Sequence, residues 1–216
     1  MAPTSPDRES IIELAARLGD IPADRILANP APGTATEADV VRFGNMVDKR
    51  MYELIRGVLV GKPGGMVKGV ITACLGSLVS EASRRLNSGL ALSGLAAYRT
   101  TTGNIRIPDF GFVSWDQLPE GRVPNVEIAD FSPALAIDVV MNGNTVREMW
   151  LKREEYFASG TQLAWEANPD TRTVRMYTGV HESVLLTGDD RLTGGAVLPG
   201  FSVPVRDVFG DLDRRR

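Results

Sequence analysis

The sequence predicts an α/β domain, and three observations carry that expectation. The run 134–141 is apolar almost throughout, as in a strand covered on both faces. Two segments, 66–86 and 145–159, have the patterning and the flanking stops of helices. Around them lie short runs rich in branched and apolar residues, separated by turn residues, which read as strands and hairpins. A chain of 216 residues with 43% hydrophobic and 24% charged side chains can close one such core, and this composition excludes wholesale disorder and collagen-like repetition.

In chain order, Ile11, Ile12, Leu14, Ala15 and Leu18 recur at helical spacing, and Gly19 can end that helix. Pro22, Pro30, Pro32 and Gly33 then punctuate a loop. This stretch is the natural boundary, with residues 1–33 as a helical appendage and linker and 34–216 as the main domain. Thr36 followed three residues later by Asp39 fits a capping box, so a short helix should run to about Gly44. Leu54 and Ile55, then Val58, Leu59 and Val60, flank Gly57 and predict two short strands joined at a turn. The segment 66–86 is interrupted by Lys68, Ser77, Ser80, Glu81, Arg84 and Arg85, which makes it an amphipathic helix too polar to span a bilayer. Residues 91–100 and 105–114 predict an antiparallel hairpin around Gly103-Asn104. The strand 134–141 follows, then the helix 145–159, stopped by Gly160. Residues 163–167 and 174–177 predict a hairpin around Asn168-Pro169-Asp170, and further strand and turn lead to a polar tail at 211–216.

Composition also narrows the chemistry. One cysteine, Cys74, and one histidine, His181, exclude an intramolecular disulfide, a thiolate zinc cage and any mechanism needing two imidazoles. A metal site would have to use oxygen ligands. Cys74 reads as a small core residue and His181 as a surface one. The formal charge of -3 carries no bulk basic signature, so contact with DNA must come from a local patch. Gly61-Lys62-Pro63-Gly64-Gly65 has neither the glycine-to-lysine spacing nor the following hydroxyl of a nucleotide phosphate loop, which excludes an NTPase on that motif. Trp115, Trp150 and Trp165 could stack on bases, but scattered tryptophans more often anchor cores. Lys49-Arg50, Arg84-Arg85 and residues 214–216 could meet phosphates, but charge runs are usually solvated faces. Asp7, Arg8 and Glu9 precede the first apolar stretch, the wrong order for a cationic leader, so a cytoplasmic location without membrane attachment is expected.

Two carboxylates stand out against this background. Asp138 interrupts Ala-Leu-Ala-Ile-Asp-Val-Val, and Asp109 follows Pro108 in a strand that the proline interrupts. A buried, unpaired carboxylate costs roughly several kcal/mol. If the two strands are neighbours, the acids converge at one end of a sheet, and a hard divalent cation, magnesium first, relieves their repulsion. The plainer alternative is that Asp109 caps a turn while Asp138 pairs with an arginine such as Arg106 or Arg147.

In order along the chain, Tyr52-Glu-Leu-Ile-Arg-Gly, Ile107-Pro-Asp-Phe-Gly-Phe-Val-Ser, Ala136-Ile-Asp-Val-Val, Lys152 with Tyr156, and Leu198-Pro-Gly-Phe-Ser with Val208-Phe209 resemble the Uma-two family. That family consists of restriction-endonuclease-like proteins of the PD-(D/E)xK nuclease superfamily, and the resemblance covers about 36–212. It implies a restriction-endonuclease-like α/β fold, a mixed β-sheet core flanked by helices, with additional β-hairpins. It matches Asp109 to the Pro-Asp element, Asp138 to the second acid and Glu53 to the glutamate of the Tyr-Glu-Leu-Ile element. The superfamily's usual lysine position, two residues after the second acid, is Val140 here; the family resemblance places the lysine on the next helix, at Lys152, four residues before Tyr156. The chain departs from the family in having Asp138 for glutamate, Met141-Asn142-Gly143 for Ser-Pro-Ser, and Gln162-Leu163-Ala164-Trp165-Glu166 for Glu-Tyr-Trp-Leu-Val.

The resemblance implies a magnesium-dependent endonuclease that hydrolyses DNA phosphodiester bonds, with manganese as an alternative ion, RNA as an alternative substrate and a homodimer as a natural assembly for cutting two strands. Asp109 and Asp138 would hold the ion, with Glu53 as a third acid. Lys152 would position or help deprotonate the attacking water and offset charge on the phosphorane. Glu148, Lys152 and Tyr156 share one helix face, so Glu148 should orient the ammonium and Tyr156 buttress it. Without the resemblance, Lys152 reads as an exposed helix lysine paired with Glu148. A second function is a catalytically weak or inactive nuclease-fold module for nucleic-acid or protein binding, favoured by the negative charge and by Met141-Asn142-Gly143. A third is a structural protein whose acids simply pair with arginines.

Overall fold

The computed structural model describes residues 9–46 and 51–214. Lys49-Arg50 and residues 215–216, among the charge runs named above, lie outside the described residues. A first group of strands comprises β1 (Tyr52–Ile55), β2 (Val58–Gly61), β4 (Ala97–Arg99), β5 (Ile105–Arg106) and β7 (Ile128–Ala129). These form a five-stranded sheet in the order β2-β1-β5-β4-β7. A second group comprises β3 (Gly89–Ser93), β6 (Phe110–Ser114), β8 (Leu135–Val139), β9 (Leu163–Asn168), β10 (Thr173–Tyr177) and β11 (Ser183–Thr187). They form a six-stranded sheet in the order β11-β10-β9-β8-β6-β3, mixed because β8 and β9 run parallel. β12 (Arg191–Gly194) and β13 (Leu198–Pro204) make a separate hairpin.

The turn between β1 and β2 needs two left-handed residues, supplied by Arg56 (φ 51°) and Gly57 (φ 75°). Gly57 also lies against Gly33, whose carbonyl oxygen would be 2.7 Å from an added Cβ. The long hairpin expected over 91–100 and 105–114 forms, but it is broken in the middle. β3 pairs with β6 in the six-stranded sheet, whereas β4 pairs with β5 in the five-stranded one. Two residues explain the break. Pro108 has no N–H to give to a ladder. Opposite it, Gly94 approaches the returning chain so closely that a Cβ there would sit 2.7 Å from the Asp109 carbonyl oxygen. The chain therefore crosses from one sheet to the other at residue 94 and back at 107–109, which leaves Asp109 at the seam.

Helix α1 (Ile11–Arg17) precedes a loop, and Leu14, Leu18, Ile21 and Ile26 pack against Ile55, Val58 and Val60. The Thr145 hydroxyl also donates to the Gly19 carbonyl. Helix α2 (Glu37–Gly44) opens with the capping box of Thr36 and Asp39. Helix α3 (Met66–Leu86) packs Ile71, Leu75 and Val79 against Leu135, Ile137 and Val139 of β8. Strand alternation turns the other side chains of β8, Ala136 and Asp138, toward the opposite face. There they meet helix α4 (Val146–Ala158), alongside Ala164 and Glu166 of β9. A parallel pair requires a crossover, and α4 is that crossover. The small Ala136 and Ala164 let it lie close to the sheet, with Lys152 and Tyr156 directed at Asp138. Helix α5 (Val205–Phe209) closes the core with Val205, Val208 and Phe209. Trp165 is fully buried and stacks on Phe201, centroids 5.4 Å apart, and is a core anchor. Cys74 is half-buried and His181 is exposed. No helix among the described residues is long and apolar enough to cross a membrane.

Candidate active site

The β6–β8 ladder pairs Phe110 with Ile137, so the next step along it sets Asp109 beside Asp138. The Val139 N–H confirms the placement by donating to Asp109 Oδ2 at 2.8 Å. Glu53 arrives from the other sheet. β1 pairs Leu54 with Ile105, which brings Glu53 alongside Arg106. Its carboxylate accepts from the Ile107 N–H and from Arg106 Nη1, both at 3.0 Å. Lys152 closes the gap between the two sheets, with Nζ 2.7 Å from Asp138 Oδ1 and 2.9 Å from Glu53 Oε1. Tyr156, one helical turn on, donates its hydroxyl to Asp138 Oδ2 at 3.1 Å, and its ring centroid lies 5.7 Å from the ammonium. Five residues singled out in the sequence, Glu53, Asp109, Asp138, Lys152 and Tyr156, thus share one buried cluster.

Glu148 takes a different part from the one expected. Instead of orienting Lys152, its carboxylate receives Arg25 in a two-pronged ion pair at 2.6 and 2.8 Å and accepts from Asn144 and the Thr145 N–H. The arginine pairing proposed for Asp138 does not form either. Arg106 serves Glu53 and Glu155, and Arg147 lies 3.8 Å from Asp20 on the surface. The cation at Asp138 is Lys152.

Three basic residues not singled out for the site also belong to it. Lys62 and Lys68 each take one oxygen of Asp109, at 2.7 and 2.9 Å. Lys62 also donates to the Ile107 carbonyl, and Lys68 to the Pro63 carbonyl at 3.0 Å. Arg25 reaches in from the loop before α2, bonding the Gly61 and Gly143 carbonyls as well as Glu148. The only sequence signal for Lys62 was its place in Gly61-Lys62-Pro63-Gly64-Gly65, and for Lys68 its place as a cation one turn into an otherwise uncharged helix start.

Electrostatics follow from this packing. Burial pushes the Glu53 carboxyl up, but Lys152, Arg106 and Lys62 together outweigh it and hold the group well below the usual carboxylate range. Asp109 is likewise lowered, burial opposing and Lys62, Lys68 and Lys152 prevailing. Burial works against the Lys152 ammonium too, yet Asp138, Glu53 and Asp109 raise its pKa above that of a free lysine. For Lys68 burial wins and the pKa falls, despite Asp109 beside it. Burial and the Asp138 charge keep the Tyr156 phenol protonated. In all, Asp109, Asp138, Glu53 and Glu155 are matched by Lys62, Lys68, Lys152 and Arg106, four charges against four.

The cluster opens on one side. A cavity of about 570 Å³ is lined by Arg25, Tyr52, Lys62, Lys68, Gly94 and Asp109 among others. Glu53, Asp138 and Lys152 lie beneath it around a space of about 10 Å³, close to the room one water needs. Of the cluster's acids Asp109 is therefore the one that meets the open cavity, whose rim also carries Asp24, and Asp138 stands behind it. The donors are hard oxygens of the type magnesium takes. Among the described residues no three acid, histidine or cysteine side chains close on one point. Ammonium groups occupy the positions next to the acids, Lys62 and Lys68 on Asp109 and Lys152 between Asp138 and Glu53. Each of these three acids is thus paired with an ammonium of the chain itself.

Comparison with known proteins identifies the lineage. The profile of the Uma2 family, described as "Putative restriction endonuclease", matches residues 42–206. The chain belongs to the Uma2 family. This Uma2 chain also resembles, over 74% of its own length and 90% of the other, the crystal structure of a protein from Anabaena variabilis described as a putative nuclease belonging to DUF820, with 19% identity and a TM-score of 0.67. At that identity the likeness is one of fold, and it agrees with the mixed sheet flanked by helices. No curated protein matches the chain. The Uma2 match includes Glu53, Asp109, Asp138, Lys152 and Tyr156, together with Lys62 and Lys68.

Proposed function

We propose that this Uma2 chain is a metal-dependent endonuclease that hydrolyses phosphodiester bonds of DNA at the cluster of Asp109, Asp138, Glu53 and Lys152. One observation carries the reading: Asp109 and Asp138, 29 residues apart in sequence, are neighbours across the β6–β8 ladder with the Lys152 ammonium on Asp138. Magnesium, or manganese in its place, held by Asp109 and Asp138 with Glu53 directly or through a water, would offset charge on the scissile phosphate and acidify a bound water. Lys152 acts as an ammonium rather than a base, since its acidic neighbours favour its charged form. Its part is to hold Asp138 and Glu53 in place and to stabilise negative charge that builds on the phosphorane. Tyr156, kept protonated, fixes the second oxygen of Asp138. The cavity beside Asp109 admits the nucleic-acid backbone, and a homodimer would offer one such site to each strand of a duplex.

The test is nicking of supercoiled DNA by the purified protein with magnesium or manganese, with single-stranded RNA as the comparison substrate. Wild type should cut with metal and not in chelator. Asp109→Asn and Lys152→Ala should abolish cutting while circular dichroism stays native. Cutting retained in both variants excludes this site. The second reading, a nuclease fold kept as a binding module, is favoured by the four-to-four charge match, which satisfies every acid of the cluster from within the chain. It is supported if DNA binds, no metal yields cutting, and Lys152→Ala leaves that binding unchanged.

A further inference from the structure

Lys62 and Lys68 exceed what Asp109 needs. One ammonium neutralises one carboxylate, yet here each oxygen of Asp109 has its own lysine, at 2.7 and 2.9 Å. The second cation brings a cost, because two ammoniums sharing one acid repel each other and both are largely buried. For Asp109 and its two lysines one positive charge is left over, and it faces the 570 Å³ cavity, whose lining also holds Asp24 and Arg25, the latter paired with Glu148. The wall beside them is bare: at Gly64, Gly65 and Gly69 an added Cβ would meet nothing within 4 Å. Each lysine also has a backbone anchor, the Ile107 carbonyl for Lys62 and the Pro63 carbonyl for Lys68, which keeps the ammonium near the cavity if Asp109 is withdrawn.

The charge match across the whole cluster gives this excess a consequence. A divalent cation entering a cluster of four positive and four negative groups leaves two positive charges unmatched. Uncompensated charge is costly in a site this buried, and a phosphate is the anion that a nuclease substrate brings. We propose that Lys62 and Lys68 hold Asp109 until a divalent cation binds, then turn to a phosphate of the substrate in the cavity, so that cation and phosphate bind cooperatively. This rests on the metal-dependent reading above and adds to it two phosphate-positioning residues and a coupling between ligands. The reciprocity of linkage requires the same factor in both directions: phosphate tightens the cation by as much as the cation tightens phosphate.

Calorimetric titration with manganese, with and without thymidine 3′,5′-bisphosphate as the phosphate probe, tests the exchange. Lys62→Met and Lys68→Met should each bind manganese about tenfold more tightly than wild type when no nucleotide is present, because a competing positive charge is gone. The same variants should bind the bisphosphate about tenfold more weakly in the presence of manganese. Lys68→Arg, which keeps the charge, should bind both close to wild type and shows whether loss of charge or loss of packing is read. In wild type the bisphosphate should tighten manganese. Manganese affinity unchanged or weakened in both methionine variants, or bisphosphate affinity unchanged in both, overturns the exchange while leaving the nuclease reading intact, provided Asp109→Asn still abolishes manganese binding. Absence of Asp109-dependent manganese binding in every protein overturns both.

Discussion

Lys152→Met is the sharpest perturbation of the cluster. Methionine fills most of the space of the lysine stem but removes the ammonium that lies 2.7 Å from Asp138 and 2.9 Å from Glu53. Glu53 keeps Arg106 and the Ile107 N–H, whereas Asp138 is left with the Tyr156 hydroxyl. Removing one partner of a buried pair costs about 3–5 kcal/mol because the other charge stays behind. For a chain of this size each kcal/mol is worth roughly 2–4 °C, so the melting temperature should fall by about 6–20 °C. Adding Asp138→Asn removes the stranded charge. The double variant should therefore be more stable than Lys152→Met alone, with a coupling of about 1–3 kcal/mol in the double-mutant cycle. Urea unfolding of the four proteins in chelator, followed by circular dichroism, measures the cycle. Additivity within about 0.5 kcal/mol would refute the claim that Lys152 exists to neutralise these acids.

Two further expectations follow from the same seam. The carboxyls of Glu53 and Asp109 are depressed in the folded state, so their contribution to stability is full above their ordinary values of 4.5 and 3.8 and is lost as pH falls below them. Melting temperature should fall on acidification below about pH 4.5, and Glu53→Gln should flatten that slope; an unchanged slope would show that Glu53 is not held by its cations. At Gly94, a methyl group would come within 2.7 Å of the Asp109 carbonyl, so Gly94→Ala should cost about 1–3 kcal/mol through crowding of backbone. The same change should also reduce DNA cutting by shifting Asp109, and a variant of wild-type stability and activity would show that the corner gives way freely.

Much of this was legible in the chain because it depends on local pattern. The buried strand at 134–141 and the helix at 145–159 emerge as β8 and α4, and their succession sets Lys152 and Tyr156 over Asp138. The hairpin at 91–114 is visible in the sequence but its division is not: Gly94 lies within an expected strand, Pro108 reads only as interrupting its own, and the pairing of β3 with β6 and of β4 with β5 shows that they turn the chain between sheets. Glu148 was assigned to Lys152 by helical spacing, yet a long-range partner, Arg25, 123 residues earlier, competes for it and wins with two hydrogen bonds. In the sequence Lys62 stands in a glycine-rich segment that lacks the spacing of a nucleotide loop, and Lys68 reads as one of the polar residues of an amphipathic helix, so neither points to Asp109. The ion pairs to Asp109 depend on folding across 41 to 47 residues, which no local period encodes.

On the proposed metal-dependent reading, Asp109 and Asp138 together hold a divalent cation beside the Lys152 ammonium. Anomalous diffraction from crystals grown with manganese tests it most directly. A peak is expected about 2.0–2.3 Å from carboxylate oxygens of both aspartates, with Lys152 still on Asp138 and with Lys62 and Lys68 drawn away from Asp109. Manganese bound elsewhere, with both lysines still paired to Asp109, would contradict it.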